Sequence, residues 1–190
     1  MNVPAKQFRL VFLVAGLVFL FITKAGSDSN LFYITSSSVK FRSEAAQEII
    51  SAESDKMQGI VDVSRRTFAF SVLCGTFHGF NSSLQREHFN ENYMETEKYP
   101  TSLFKGKIIE EVDFTKPGIY DVRAKGTIMM HGITQERIIR SKITVKQGWL
   151  EVESSFRVLL SDHGIRVPKV VHEKIAEEIN VEIKARLERR

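Results

Sequence analysis

The stretch Ile179–Leu187, INVEIKARL, decides the fold. Ile179, Val181, Ile183, Ala185 and Leu187 are apolar, and Asn180, Glu182, Lys184 and Arg186 between them are polar. Successive side chains of a strand point to opposite faces, so this alternation gives one dry face and one wet face. A helix would scatter the same residues around its circumference. The reading is a half-buried antiparallel strand.

Working back along the chain, the same template recurs. In Trp149–Leu160, Leu150, Val152, Ser154, Phe156, Val158 and Leu160 share a face, while Glu151, Glu153 and Arg157 lie opposite. In Tyr120–Met130, Tyr120, Val122, Ala124, Gly126, Ile128 and Met130 alternate with Asp121, Arg123, Lys125 and Thr127. Ile139–Val145 and Phe68–Thr76 fit as well, and Phe32–Ile34, Val39–Phe41, Ile49–Glu53 and Gln58–Val63 are shorter candidates. Lys116-Pro117-Gly118, His131-Gly132, Gln147-Gly148 and Ser161–Gly164 supply turns between them. The spacing predicts an all-β, antiparallel chain of about eight strands, as a sandwich or a closed barrel. Two short helices interrupt it. One spans Ser82–Asn92, with Ser82 and Gln85 placed as a capping box. The other spans Val170–Glu177, just after Pro168.

The first 27 residues are of another kind. Lys6 and Arg9 precede thirteen consecutive apolar or Gly residues, Leu10–Ile22, and Ala25, Gly26 and Ser27 follow. That order is a secretory signal peptide, and the apolar run is shorter than the roughly twenty residues that a membrane span needs. The reading is a signal peptide over 1–27 and one domain over 28–190, exported to the periplasm or secreted. Removing 1–27 takes away Lys6, Arg9 and Lys24 and no acid, so the formal charge falls from +4 to +1. The basic balance then gives no support to a nucleic-acid partner. Cys74 is the single cysteine, so no intramolecular disulfide forms, and a small buried apolar role suits it.

A further segment, Leu84–Ile108, LQREHFNENYMETEKYPTSLFKGKI, carries a family resemblance. Leu84, His88, Phe89, Lys98, Tyr99, Pro100, Phe104 and Gly106 match, in order, the most recognisable pattern of the YceI-like family. Gly126–Thr134, GTIMMHGIT, resembles that family's Gly-to-His-Gly-Val-Thr strand and turn, and Ser161–Ile165 and Lys174–Ala176 recur in the expected order. The similarity spans most of residues 57–188. Tyr33–Phe41 and Lys56–Val63 carry only a loose version of the family's opening, with Gly59 standing in for its glycine. The resemblance implies an exported, lipocalin-like β-barrel that holds a polyisoprenoid or similar long amphiphile. It implies a bacterial source and a carrier or storage role.

A barrel of eight strands is about the smallest that can enclose a ligand. Taking the drier faces inward gives a tunnel lining of Phe68, Phe70 and Val72; Tyr120, Val122, Ala124, Ile128 and Met130; Ile139 and Ile143; and Val152, Phe156 and Val158. Val181 and Ile183 also face in, and small Ala124, Gly126 and Ser154 leave room. Each buried methylene is worth about 0.8 kcal/mol, so some ten of them supply roughly 8 kcal/mol. The partner is then a long-chain isoprenoid or fatty lipid held without a cofactor. The same residues also fit a solid core, which would make the chain a non-catalytic interaction module of the cell envelope. A homodimer stays open on either reading.

The five histidines form no metal-binding spacing. His88 and Glu91 share a helix face at best, with Glu95 a turn further on, and a metal needs three or four convergent ligands. No nucleophile elbow, phosphate-binding loop or Cys/His signature is present, so no enzyme is expected. His78 and His131 precede glycines at turns, and Tyr93 and Tyr99 flank the polar corner around Asn90-Glu91-Asn92. All four are candidates for head-group or lid contacts. The competing reading of that corner is a structural tie made by side-chain-to-backbone hydrogen bonds.

Overall fold

The computed structural model describes residues 30–189. The signal segment expected over 1–27 lies outside them. Nine strands form one antiparallel sheet: β1 (Leu31–Glu44), β2 (Ile49–Ser54), β3 (Gln58–Asp62), β4 (Thr67–Leu73), β5 (Thr101–Ile108), β6 (Gly118–Met130), β7 (Ile133–Lys146), β8 (Trp149–Leu159) and β9 (Glu178–Arg189). From β3 onward each strand pairs with the next, and β9 pairs back onto β1, which closes the sheet into an eight-stranded barrel. β2 is the extra strand. The C-terminal half of β1, from Val39 to Glu44, pairs with β2, and its first residues, Leu31–Tyr33, pair with β3 on the same edge. The loosely patterned N-terminal region thus makes one long strand flanked by two short ones.

The strands form where the alternation predicts them. β8 and β9 pair residue for residue from Trp149↔Glu188 to Leu159↔Glu178. Their wet faces carry ion pairs such as Lys184–Glu153 at 3.0 Å and Arg157–Glu178 at 2.8 Å. Two glycines shape the opposite wall. Gly106 and Gly126 sit directly across from each other on β5 and β6. A Cβ on Gly126 would lie 2.1 Å from the Lys105 carbonyl oxygen, and one on Gly106 equally close to the Lys125 oxygen. Gly126 therefore serves close backbone approach, where the sequence reading took it as a source of room in the lumen.

The helical expectations hold in part. α1 covers Ser83–His88 and continues into a wider π-type turn over Phe89–Tyr93. The Ser82 hydroxyl accepts the Gln85 N–H at 3.2 Å as the capping box requires, while the return bond lands one residue early, the Gln85 side chain accepting the Asn81 N–H at 3.1 Å. The helix expected over Val170–Glu177 is only a 3-10 turn at Lys169–Val171. Val170 is 89% exposed, so no apolar face packs down to hold a longer helix.

Candidate functional site

The two ends of the barrel differ in filling. At one end, Phe32, Val145, Leu150 and Leu187 are at most 2% exposed and join one continuous core with Phe114 from the β5–β6 loop. At the other end, inward residues such as Phe70, Phe104, Phe156, Val181 and Ile183 are only half-buried. The surface they leave free faces a cavity of about 230 Å³ inside the barrel.

Four strand regions wall this cavity. β1 supplies Val39, Phe41 and Ser43; β4 and β5 supply Phe70, Val72, Ser102 and Phe104; β6 supplies Ile128 and Met130; β8 and β9 supply Phe156, Val158, Ile179, Val181 and Ile183. The roof comes from outside the strands. Phe77, Phe80 and Phe89 gather over Phe41, with Phe41 and Phe89 stacked at 5.3 Å and an interplanar angle of 13°. Met94 and Ile165 close one side, and Gln85 and the exposed His88 stand at the rim. The roof is fastened by polar contacts to the β1–β2 turn. The Asn81 side chain donates to the Ile49 carbonyl at 3.0 Å, and the Gln85 amide donates to the Glu48 carboxylate.

A second void of about 40 Å³ lies deeper, among Phe68, Val122, Ala124, Ile139, Ile143 and Val152. Of the residues expected to line a tunnel, Phe70, Val72, Ile128, Met130, Phe156 and Val158 border the large cavity. Phe68, Val122, Ala124, Ile139, Ile143 and Val152 border the small void, which Phe70 and Phe156 also touch. Tyr120 borders neither. Its hydroxyl donates to the carbonyls of Lys116 at 3.1 Å and Asp113 at 3.4 Å, which fixes it at the filled end. The alternation is blind to depth: the residues expected to line a tunnel divide between a cavity, a small void and a packed end.

The four candidate head-group or lid residues separate. Tyr93 lines the cavity, and burial pushes its phenol above the usual range. His78 is exposed, and its backbone forms a bridge with Glu53 at 2.8 and 2.9 Å. It sits in that isolated bridge, away from the lining. His131 and Tyr99 lie edge to face at 4.6 Å beside the barrel. His131 Nδ1 donates to the His163 carbonyl at 3.0 Å, and its Nε2 meets the Glu95 carboxylate. Tyr99 lies against Gly132, where a Cβ would approach its ring to 2.6 Å. Neither residue borders the cavity; both fasten the corner to the β6–β7 turn. Asn90 does the same locally, donating to the Arg86 carbonyl at 2.9 Å while its own carbonyl accepts the Thr96 N–H at 2.8 Å.

Sequence reasoning missed the aromatic roof. Phe41 lies in the second half of β1, which reads in the sequence only as the short candidate Val39–Phe41; Phe77 and Phe80 lie in irregular segments with no period to read, and Phe89 follows a helix too short to declare a face. Cys74, expected as a small buried apolar residue, is 2% exposed within the cavity lining. Burial pushes its thiol up, opposed by a 3.3 Å hydrogen bond with the Ser102 hydroxyl. Among the described residues no group of three His, Cys, Asp or Glu side chains is placed to hold a metal ion.

No curated protein matches the chain. Among solved structures, a polyisoprenoid binding domain from Saccharophagus degradans, implicated in plant cell wall breakdown, aligns with a TM-score of 0.69 at 11% identity, over 84% of this chain and 98% of that one. BcnA from Burkholderia cenocepacia aligns with a TM-score of 0.65 at 11% identity, over 79% and 95%. The YceI protein of Campylobacter jejuni aligns with a TM-score of 0.57 at 12% identity, over 71% and 82%. At such identities the likeness concerns the fold. The model of the YceI-like domain matches residues 32–187, from the first strand to the last, and the chain belongs to the YceI-like family.

Proposed function

We propose that this chain is an exported, non-catalytic carrier or store that shields the apolar tail of a polyisoprenoid or similar long-chain amphiphile. The observation that carries the reading is the cavity of about 230 Å³ with an almost wholly apolar wall of aromatic, aliphatic and Met side chains. A pocket of that character is the ordinary setting for an apolar ligand, and burial alone supplies the affinity. The likeness in fold to the polyisoprenoid binding domain from Saccharophagus degradans supports the ligand class. The outer face supports a soluble role between membranes. It carries charges on β8 and β9, the reverse of a barrel that spans a membrane with its apolar side outward. Among the described residues no helix is long and apolar enough to cross a membrane. The rival reading, a solid interaction module, describes the filled end only.

The test is native purification of the exported protein, organic extraction and mass spectrometry, paired with uptake of a fluorescent prenyl probe by lipid-stripped protein. The reading predicts a co-purified lipid or saturable uptake. A blank in both would remove it.

A further inference from the structure

The barrel holds two voids, stacked along its axis, and four side chains border both: Phe70, Phe104, Phe156 and Ile183. Their places on the wall matter. Phe70 and Phe104 are direct partners across β4 and β5. Phe156 and Ile183 come from the adjacent strands β8 and β9. In the closed order β1-β3-β4-β5-β6-β7-β8-β9, these two strand pairs stand on opposite sides of the lumen. The four residues therefore reach inward from facing walls at one level and separate the cavity from the void below.

The aromatic half of this partition is braced. Phe68 packs against Phe70 at 5.6 Å and against Phe104 at 4.8 Å. Gly59 lies opposite Phe70 on β3, and a Cβ there would come within 2.2 Å of the Phe70 ring. The ring rests in the space that the missing side chain leaves. Phe68 below is 6% exposed. A side chain braced in this way does not swing aside without displacing its neighbours.

We infer that Phe70, Phe104, Phe156 and Ile183 form a floor that sets the length of tail this protein accepts. The inference rests on the lipid-holding function proposed above. Room for one water-sized group takes about 10–15 Å³ of such volume, so the cavity of about 230 Å³ takes at most roughly fifteen to twenty-three chain carbons. That corresponds to a short isoprenoid of three or four units, or to one ordinary fatty chain. Longer tails leave their remaining carbons at the rim, in water. The small void below, about 40 Å³, adds room for only about three more groups once the floor is opened.

The experiment is a binding ladder of prenols with two, three, four, six and eight isoprene units, each delivered from cyclodextrin to lipid-stripped protein and read by displacement of a fluorescent prenyl probe. Below the limit, each added methylene strengthens binding by about fourfold before ordering costs. The expected profile climbs steeply to three or four units and then flattens. Phe104→Leu, which removes ring volume at the floor, moves the break to longer prenols. Ile183→Phe, which raises the floor, moves it to shorter ones. Circular dichroism and the melting temperature confirm that each variant is folded, and the wild-type ladder stands as a test on its own if one is not. Affinity that keeps rising through six and eight units overturns the floor while leaving the lipid-binding function standing. No binding of any prenol, with no fatty chain bound either, overturns that function instead.

Discussion

Glu95 and His131, 36 positions apart in sequence, face each other at the junction of the Asn90–Tyr99 corner and the β6–β7 turn. Both have left-handed backbones, with φ of 43° and 49°. Non-glycine residues hold that conformation only where surrounding contacts enforce it. Here the contacts are the carboxylate on Nε2, the His163 carbonyl on Nδ1 and the Tyr99 ring against the imidazole.

His131→Ala therefore removes two hydrogen bonds and an aromatic contact from a largely buried site. The expected loss of stability is about 2–3 kcal/mol, measured by urea denaturation. Because His131 does not border the cavity, prenyl-probe affinity under conditions where the variant is fully folded stays within about twofold. A large, selective loss of affinity would assign His131 to the ligand.

Phe89 bears on binding directly. It stacks on Phe41 at 5.3 Å and touches Phe77 and Phe80, so it holds the roof together. Phe89→Ala is expected to cost about 2 kcal/mol of stability, below the range for a fully buried Phe because the ring is half-buried. Stopped-flow release of the prenyl probe should speed up by about an order of magnitude, equal to about 1.4 kcal/mol. An unchanged release rate would place the exit elsewhere.

Gly126→Ala tests the wall. Its new methyl group would meet the Lys105 carbonyl at 2.1 Å, a backbone atom that cannot rotate away. The expected destabilisation is about 3 kcal/mol, at the upper end for overpacking. A neutral result in chemical denaturation would show that β5 and β6 separate more easily than their register indicates.

The Cys74 thiol lies in the cavity wall with its ionisation pushed up by burial, so little thiolate forms near neutrality. Alkylation by iodoacetamide at about pH 8 should run at least tenfold slower in the folded than in the urea-unfolded chain, judged against an ordinary thiol near pH 8.5. A prenol in the cavity should slow it further. Equal rates with and without prenol would argue that the ligand does not reach the turn after β4, where Cys74 stands.

At the filled end, Asp113 accepts hydrogen bonds from the Thr115 hydroxyl and the Lys116 ammonium, which hold its carboxyl down at about 2. Its folded value is below the unfolded one. Its contribution is thus present above about pH 4 and fades as pH falls toward about 2. Asp113→Asn should melt below the wild type at pH 7, and the two melting temperatures should converge near pH 2. A gap that persists in acid would point to shape, not charge.

How much of this was legible in the sequence depended on periodicity. Ile179–Leu187, Trp149–Leu160 and Tyr120–Met130 declared their inward faces because a strand's side chains alternate whatever lies beyond them. Depth was hidden. Tyr120 and Ile128 share a face of β6, yet one is tied to the Lys116 carbonyl at the packed end and the other borders the cavity. Only the register of all eight strands fixes that difference. The roof was hidden for another reason. Phe77 and Phe80 occupy irregular backbone and Phe89 the π-type turn after α1, a segment that hydrogen bonds from Asn81 and Gln85 to the β1–β2 turn, and not a repeat, hold in place. The Ser82 cap was readable because it is local. The extent of the turn after Pro168 was not, because it depended on whether anything would pack against Val170.

The most direct measurement is a crystal structure of natively purified protein, with its lipid retained. The account predicts elongated density passing under Phe41 and Phe89 along Val181 and ending at Phe70 and Phe104. A lumen closed by collapsed side chains, or one filled only by water, would contradict it.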